Sequence, residues 1–370
     1  GKIIIILLMQ IGGLGYMTFS IFMVLIFRNK LFISQKLVIQ EALNINSTKD
    51  VIVVLKKVFG IVFFCEGVGA LILFIRWLPE FGYAKALFWS VFHSVSAFNN
   101  AGFALPANFA NLMPYATDWT INLTITTLII IGGIGFIVIA DIIEHRRLSL
   151  HSKIALTTTM ILLIVGTIFF MGLEYNNPKT IGGLSLPDKF LTSYFQAVTP
   201  RTAGFNTLDL GKIFPATALI VIFLMFVGAS PGGTGGGIKT TTFALVIFTI
   251  VATLKGDKNT TLFDRRIPPE TVRKAFTIIF LSLAVVIGAI FLLDNIEHFS
   301  LLELAFEVTS AFGTVGLSMG VTPYLSSLGK IIIIATMFIG RVGALTLLIS
   351  LATNQKEPKI KLPKEGISIG

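Results

Sequence analysis

The 370-residue sequence predicts an all-α polytopic membrane fold, built from four cycles of span, short helix, turn and span, the first of them truncated. Three observations predict it. Hydrophobic residues make up 54% and charged residues 13% of the chain, where a soluble domain carries about a quarter charged residues. Apolar runs near or above the roughly 18 residues needed to cross a bilayer recur along it. Three glycine-centred tetrapeptides, Asn100-Ala101-Gly102-Phe103, Thr202-Ala203-Gly204-Phe205 and Thr314-Val315-Gly316-Leu317, return at intervals of 102 and 112 residues, each after one apolar run and before the next. An internal repeat of this kind sets the architecture.

Taken in order, Ile3 to Phe27 reads as one span with a weak point at Gly12-Gly13-Leu14-Gly15. Arg28 to Lys57 is basic, and its inner part, Leu31 to Leu55, reads as a surface helix. Val58 to Ile75 crosses back, Leu78-Pro79-Glu80 is a turn, and residues 85–99 are an amphipathic helix too short to span. Trp119 to Ile143 is the next span, carrying Ile131-Gly132-Gly133-Ile134-Gly135, and a short basic loop ends it at Lys153. The cycle repeats with Ile154 to Leu173, a polar loop, and a short helix from Phe190 to Thr199. Ile213 to Gly228 starts a span that breaks at Ala229-Ser230-Pro231-Gly232-Gly233-Thr234-Gly235-Gly236-Gly237 and resumes over Thr240 to Leu254. After a basic segment, Lys255 to Lys274, the last cycle comprises Ala275 to Leu293, a short helix from Ser300 to Phe312, the turn, and Leu328 to Ser350. The implied divisions are 1–57 (second span of cycle one and its basic segment), 58–153, 154–274, 275–350 and a charged tail, 351–370. The chain opens inside an apolar run without an initiator methionine, so the beginning of cycle one is expected to lie outside it.

Charge fixes the orientation. Lys and Arg number six in 28–57, three in 144–153, six in 255–274 and four in the tail, against Arg76, Lys85, Lys179, Lys189 and few others in the opposite loops. Basic segments between spans face the cytoplasm, so the glycine turns open outward. The net charge of +10 is thereby assigned to topology, not to nucleic acid. One cysteine, Cys65, excludes an internal disulfide, no cluster has metal-ligand spacing, and no nucleotide-binding loop or catalytic constellation is present. The sequence reads as a non-enzyme.

Irregular backbone at membrane depth must be buried in protein or line water. The three turns meet that condition by facing one another around an aqueous path. Thr314-Val315-Gly316 resembles the start of potassium-channel filters, in which backbone carbonyls replace an ion's water shell. Glycine at 102, 204 and 316 reaches backbone conformations that aim successive carbonyls alike and keeps the wall free of side chains. The competing role for any one glycine, close helix packing, does not account for three in matched context. The stretch 229–239 lies inside a span, where a flexible linker has no place. Arg341, in Gly340-Arg341-Val342-Gly343, is a charge at mid-span, at the depth of that break, since Gly340 follows Gly316 by the same 24 residues as Gly228 follows Gly204. It raises a barrier to cations there, or pairs with a buried acid such as Glu307 or Asp141. Lys239 shares its role or snorkels to the cytoplasmic face. His93 and Glu307 hold the short helices in place.

The residues 96–103, 199–205, 230–239 and 309–318, taken together, resemble the Trk/Ktr/HKT superfamily of potassium transporters, and most of all its KtrB branch. The similarity covers nearly the whole chain. It implies four covalently linked span–pore loop–span repeats around one pore, and potassium uptake through a filter of Asn100, Ala101, Gly102, Phe103, Thr202, Ala203, Gly204, Phe205, Thr314, Val315, Gly316 and Leu317. It also implies an intramembrane gating loop with Gly232, Gly233, Gly235, Gly236, Gly237 and Lys239, opposed by Arg341. Potassium, with possible sodium dependence, is the transported ion and no cofactor is implied. Partners implied are membrane lipid, a second copy in a homodimer and a cytoplasmic nucleotide-binding ring of KtrA type, in a bacterial cytoplasmic membrane. Asn100 departs from the threonine at 202 and 314, and is tolerated if only its backbone faces the ion. From another class, an alternating-access secondary carrier would use the broken helix as its substrate site; the shared orientation of all three turns speaks against inverted repeats.

Overall fold

The computed structural model describes residues 1–14, 51–144 and 148–343. The chain is mostly helical: α1 (Lys2–Leu14), α2 (Val51–Phe81), α3 (Tyr83–Phe98), α4 (Trp119–Ile134), α5 (Phe136–Glu144), α6 (Leu150–Glu174), α7 (Leu186–Val198), α8 (Pro215–Phe226), α9 (Thr240–Leu254), α10 (Pro269–Asp294), α11 (Leu301–Gly313) and α12 (Ser327–Val342). A two-residue hairpin pairs β1 (Thr261–Leu262) with β2 (Arg265–Arg266); Phe263 and Asp264 both take positive φ, as the tightest hairpin turn requires. Among the described residues three helices are long and apolar enough to cross a membrane, Val58–Phe81, Leu150–Glu174 and Pro269–Asp294, and the bent pair α4–α5 makes a fourth if counted as one.

Three successive stretches share one order: a long helix, a short helix, an irregular turn and a second helix. Each short helix packs on the long helix before it, α3 on α2, α7 on α6 and α11 on α10. Each also touches a second helix from earlier in the chain: α3 meets α1, α7 meets α4 and α11 meets α8. Small residues permit this closeness. A Cβ on Gly69 would stand 2.8 Å from Ser94 Oγ, and Ser94 itself donates to the Glu66 carbonyl at 2.6 Å. Ser185 and Ser300 cap α7 and α11, the latter in a capping box with Glu303, which pins where the short helices begin.

At the end of the molecule near the turns, each long helix is fastened to the second helix of its own stretch. Arg76 Nε lies 2.6 Å from Asp118 Oδ2. Glu174, fully buried, accepts from Phe214 N at 2.8 Å and Thr217 Oγ1 at 2.5 Å. Glu297 accepts from the backbone and hydroxyl of Ser326 at 3.0 and 2.6 Å.

The structure corrects or refines the sequence expectations at several places. Helix α2 already includes Val51 and runs through Pro79 to Phe81; Arg76, held by Glu80 and Asp118, carries it past the proline, and the chain turns at Gly82 with φ +71°. The span expected from Trp119 to Ile143 is bent by 94° between α4 and α5, at Gly135 with φ +102°. The basic segment expected from Lys255 to Lys274 folds as the hairpin and the first turn of α10, which Pro269 opens from its favoured first position. The short helices start up to four residues earlier than expected, at Tyr83 and Leu186. Helix α12, in the last expected span, ends at Val342, where Gly343 takes φ +93°. The remainder of that span, residues 15–50 with the expected surface helix, and the charged tail lie outside the described residues.

Candidate functional site

All three glycine turns leave their short helices in the same way. Asn100, Thr202 and Thr314 take φ of 50°, 72° and 52°, and Gly102, Gly204 and Gly316 take 72°, 78° and 89°. Two left-handed residues flank one ordinary residue each time. Asparagine tolerates that conformation, whereas for a β-branched threonine it is an outlier held by its surroundings. Hydroxyls from the short helices do part of the holding. Ser96 Oγ donates to the Phe103 carbonyl at 2.8 Å, Thr199 Oγ1 to the Phe205 carbonyl, and Ser310 Oγ accepts from Gly316 N at 3.1 Å.

The turns lie side by side. A Cβ on Gly102 would stand 2.6 Å from the Ala203 carbonyl oxygen and 2.9 Å from Gly204 Cα. One on Gly204 would strike the Val315 carbonyl oxygen, and one on Gly316 would touch Gly204 Cα at 3.9 Å. Backbone therefore faces backbone through the row 102–204–316; close approach demands glycine at 102 and 204, and the positive φ favours it at 316. Asn100 joins the row by its side chain: turned so that both ends are satisfied, its amide donates to the carbonyls of Ala97 and Ile129 at 3.1 and 3.2 Å and accepts from Thr202 Oγ1 at 3.2 Å. Phe205 and Leu317 are buried in the core, whereas Phe103 is 53% exposed. Phe103, Asn100, Ala101 and Thr314 line one side of a cavity of about 480 Å³, with α1 on another side and Thr234 and Arg341 also in its wall.

The stretch 229–239 folds directly against these turns. Its neck is closed by Gly228 N to the Ile238 carbonyl at 2.9 Å and Ile238 N to the Phe226 carbonyl at 3.3 Å. A Cβ on Gly235 would collide with Thr202 Oγ1, and one on Gly236 with the Thr314 side chain. Gly233 packs 2.8 Å, measured from its own would-be Cβ, from the Gly133 carbonyl oxygen. Gly232 and Gly237 take positive φ. The loop also completes α4. Helix ends leave carbonyls unpaired; here Gly133 O accepts from Ser230 N at 2.9 Å and Gly132 O from Thr234 N at 3.1 Å, while Phe136 N donates to Gly232 O at 3.1 Å. This is the physical reason for the bend at Gly135.

Two cations hold the loop. Lys239 Nζ donates to the Gly235 carbonyl at 2.6 Å, so it turns back into the loop and does not snorkel. Arg341 donates through Nη1 to the Thr234 carbonyl and through Nη2 to the Gly12 carbonyl, both at 2.6 Å. The ion pair weighed for Arg341 is replaced by these carbonyls: Glu307 instead accepts from Ser318 Oγ at 2.7 Å and Thr322 Oγ1 at 2.5 Å, and Asp141 accepts from Ser149 N at 2.7 Å.

Glu307 and His93 stand nine residues before Gly316 and Gly102 respectively. Both reach the segment beyond their turn, since His93 Nε2 accepts from Leu105 N at 3.2 Å while Nδ1 bonds the Trp89 carbonyl at 2.7 Å. Gln196 does the same for the Gly204 turn by donating to Thr207 Oγ1 at 3.2 Å. Sequence reasoning missed Ser96, Thr199, Ser310, Gln196 and Thr234. Ser96, Thr199 and Ser310 stand six, five and six residues before their glycines, and Thr234 follows none of that spacing, so their part shows only in the hydrogen bonds they make.

The family profile TrkH, described as cation transport protein, matches residues 1–361. The chain belongs to the TrkH family of cation transport proteins. It is similar to Ktr system potassium uptake protein B of Bacillus subtilis, with 45% identity over 100% of this chain and 83% of that one, and of Vibrio alginolyticus, with 41% identity over 100% and 82%. It is also similar to potassium/sodium uptake protein NtpJ of Enterococcus hirae, with 38% identity over 100% and 83%. These matches bear out the resemblance read from the motifs, KtrB branch included. The fold matches the crystal structure of the potassium transporter TrkH from Vibrio parahaemolyticus, with a TM-score of 0.74 at 20% identity over 94% of this chain and 71% of that one. Family members are membrane transport proteins, not enzymes.

Proposed function

We propose that the chain takes up potassium across the bacterial cell membrane, through a filter made of the backbone carbonyls of residues 100–103, 202–205 and 314–317. The observation that carries this reading is the row of three glycine turns packed backbone to backbone against the loop 229–239. The repeated left-handed residues allow successive carbonyls to face one way, and a carbonyl-lined wall exchanges an ion's hydration shell for oxygen ligands. The printed names of the relatives at 38–45% identity supply the ion.

In this reading the stretches 58–153, 154–274 and 275–350 are three repeats of a fourfold arrangement. Helix α1 is the second helix of another, because it meets α3 as α4 meets α7 and α8 meets α11. The loop 229–239, with Gly232, Gly233, Gly235, Gly236, Gly237 and Lys239, is the gate, and Arg341 both ties it shut and sets a positive charge in the path of a cation. The basic segments face the cytoplasm, where they offer a surface to a nucleotide-binding ring of KtrA type, and two copies form a homodimer.

The test is uptake of radioactive rubidium into liposomes holding the protein. Uptake should be competed by potassium and lost in Gly204→Asp and Gly316→Asp. Undiminished uptake in either variant, with a native size-exclusion profile, would exclude the filter.

A further inference from the structure

Behind the row of turns, on the side facing α1 and α2, lies a carboxylate that ion passage through the turns does not use. Glu66, in the middle of α2, is 6% exposed, and Asn99, one residue before the turn, is 4% exposed. Asn99 Nδ2 lies 2.9 Å from Glu66 Oε1, 3.1 Å from Gln10 Oε1 and 2.9 Å from the Val95 carbonyl. An amide nitrogen has two hydrogens, so three acceptors converge on a group that can serve two. Meanwhile Asn99 Oδ1 and Gln10 Nε2 are buried without a partner among the described residues. Among those residues no lysine or arginine forms a salt bridge with Glu66. A buried carboxylate without a cation is costly, and most so at membrane depth.

We infer that Glu66, Gln10 and Asn99 form a second site for a monovalent alkali cation, beside the turns and distinct from them. The Asn99 nitrogen occupies the place where the cation's positive charge belongs. Half a turn of the amide would bring Oδ1 to the same point as Glu66 Oε1 and Gln10 Oε1, an all-oxygen set of the kind hard cations take. A single carboxylate matches a single positive charge. Gly13 makes room for this amide, since a Cβ there would collide with Asn99, and Asn99 also lines the 480 Å³ cavity from which a cation would enter. Occupancy would reach the first turn directly, because Asn99 is bonded to Asn100.

Equilibrium binding of radioactive sodium and rubidium to the purified full chain tests this without reference to flux, so it stands or falls separately from the filter. Glu66→Gln should bind one ion fewer per chain than wild type. Asn99→Ala and Gln10→Leu should weaken that binding by roughly tenfold or more, the usual loss when a group around a bound metal ion is removed. Glu66→Asp should retain it. Unchanged stoichiometry in Glu66→Gln overturns the site, including the case in which the carboxylate holds only a proton. Should Glu66→Gln fail to fold by circular dichroism, unchanged affinity in Asn99→Ala and Gln10→Leu overturns it equally.

Discussion

Arg341 and Thr234, 107 residues apart in sequence, are joined by a 2.6 Å hydrogen bond from the guanidinium to the Thr234 backbone carbonyl. The same side chain bonds Gly12 on α1 at 2.6 Å. One arginine thus fastens the glycine loop to α1 and to its own helix, α12.

Removing that fastening should free the loop. A hydrogen bond to a charged group contributes about 1.5–3 kcal/mol, and about 1.4 kcal/mol shifts a two-state population tenfold. Arg341→Ala should therefore raise rubidium flux by roughly tenfold or more, with Arg341→Lys between it and wild type. Flux unchanged in a folded Arg341→Ala would remove the arginine from gating.

Glycines of the loop are crowded, whereas Gly172 on α6 is open. Gly235→Ala and Gly236→Ala place a methyl group against Thr202 and Thr314, so both should unseat the loop and raise flux. Gly172→Ala, with nothing within 4 Å of its would-be Cβ, should change neither flux nor melting temperature. Equal behaviour of the three variants would show that crowding beneath the turns does not matter.

At Asn100 the side chain bonds Ala97, Ile129 and Thr202, while the backbone has the left-handed form that threonine already adopts at 202 and 314. Asn100→Thr should keep uptake while lowering the melting temperature, because it loses hydrogen bonds contributing about 0.5–1.5 kcal/mol each. Abolished uptake in correctly inserted protein would mean that the amide itself meets the ion.

Glu307 fixes Ser318 and Thr322 beyond the last turn. Glu307→Ala removes the bonds to the half-buried Ser318 and the exposed Thr322, and should loosen the turn. The readout is ionic preference: the ratio of potassium to sodium in competition with rubidium should fall, with Glu307→Gln closer to wild type. An unaltered ratio alongside a lowered melting temperature would restrict Glu307 to a structural part.

Glu174 gathers Phe214, Thr217, Asn177 and Thr180 on its two oxygens. Glu174→Ala should destabilise the protein by about 3 kcal/mol or more, since several charge-assisted bonds vanish together. Thermal unfolding in detergent, beside the exposed Asp257→Ala as a control, measures it.

Much of this was legible from residues alone where the signal is local. The three turns, the short capped helices before them and the broken span at 229–239 each announce themselves through glycine spacing or an apolar run of the wrong length. The family resemblance agreed with those features. What could not be read is who meets whom across the chain. Gly-Gly-Ile-Gly at 132–135 was visible as a weak point in a helix, but the loop that bends the helix there begins nearly a hundred residues later. Arg341 was visible as a buried charge, yet its partners are carbonyls, which every residue possesses and no sequence pattern marks. Glu66 lies in an apolar run, but that it shares Asn99 with Gln10 depends on three helices meeting.

The carbonyls of Gly132 and Gly133, which take their hydrogen bonds from the loop's own amides, give loop movement a solvent signature. The loop cannot withdraw without baring those two oxygens and its own donors, and at membrane depth only water can take their place. Its displacement is therefore coupled to hydration. Solutes excluded from protein surfaces favour the less hydrated state, so sucrose or trehalose should hold the loop in its seat, and dilution should release it.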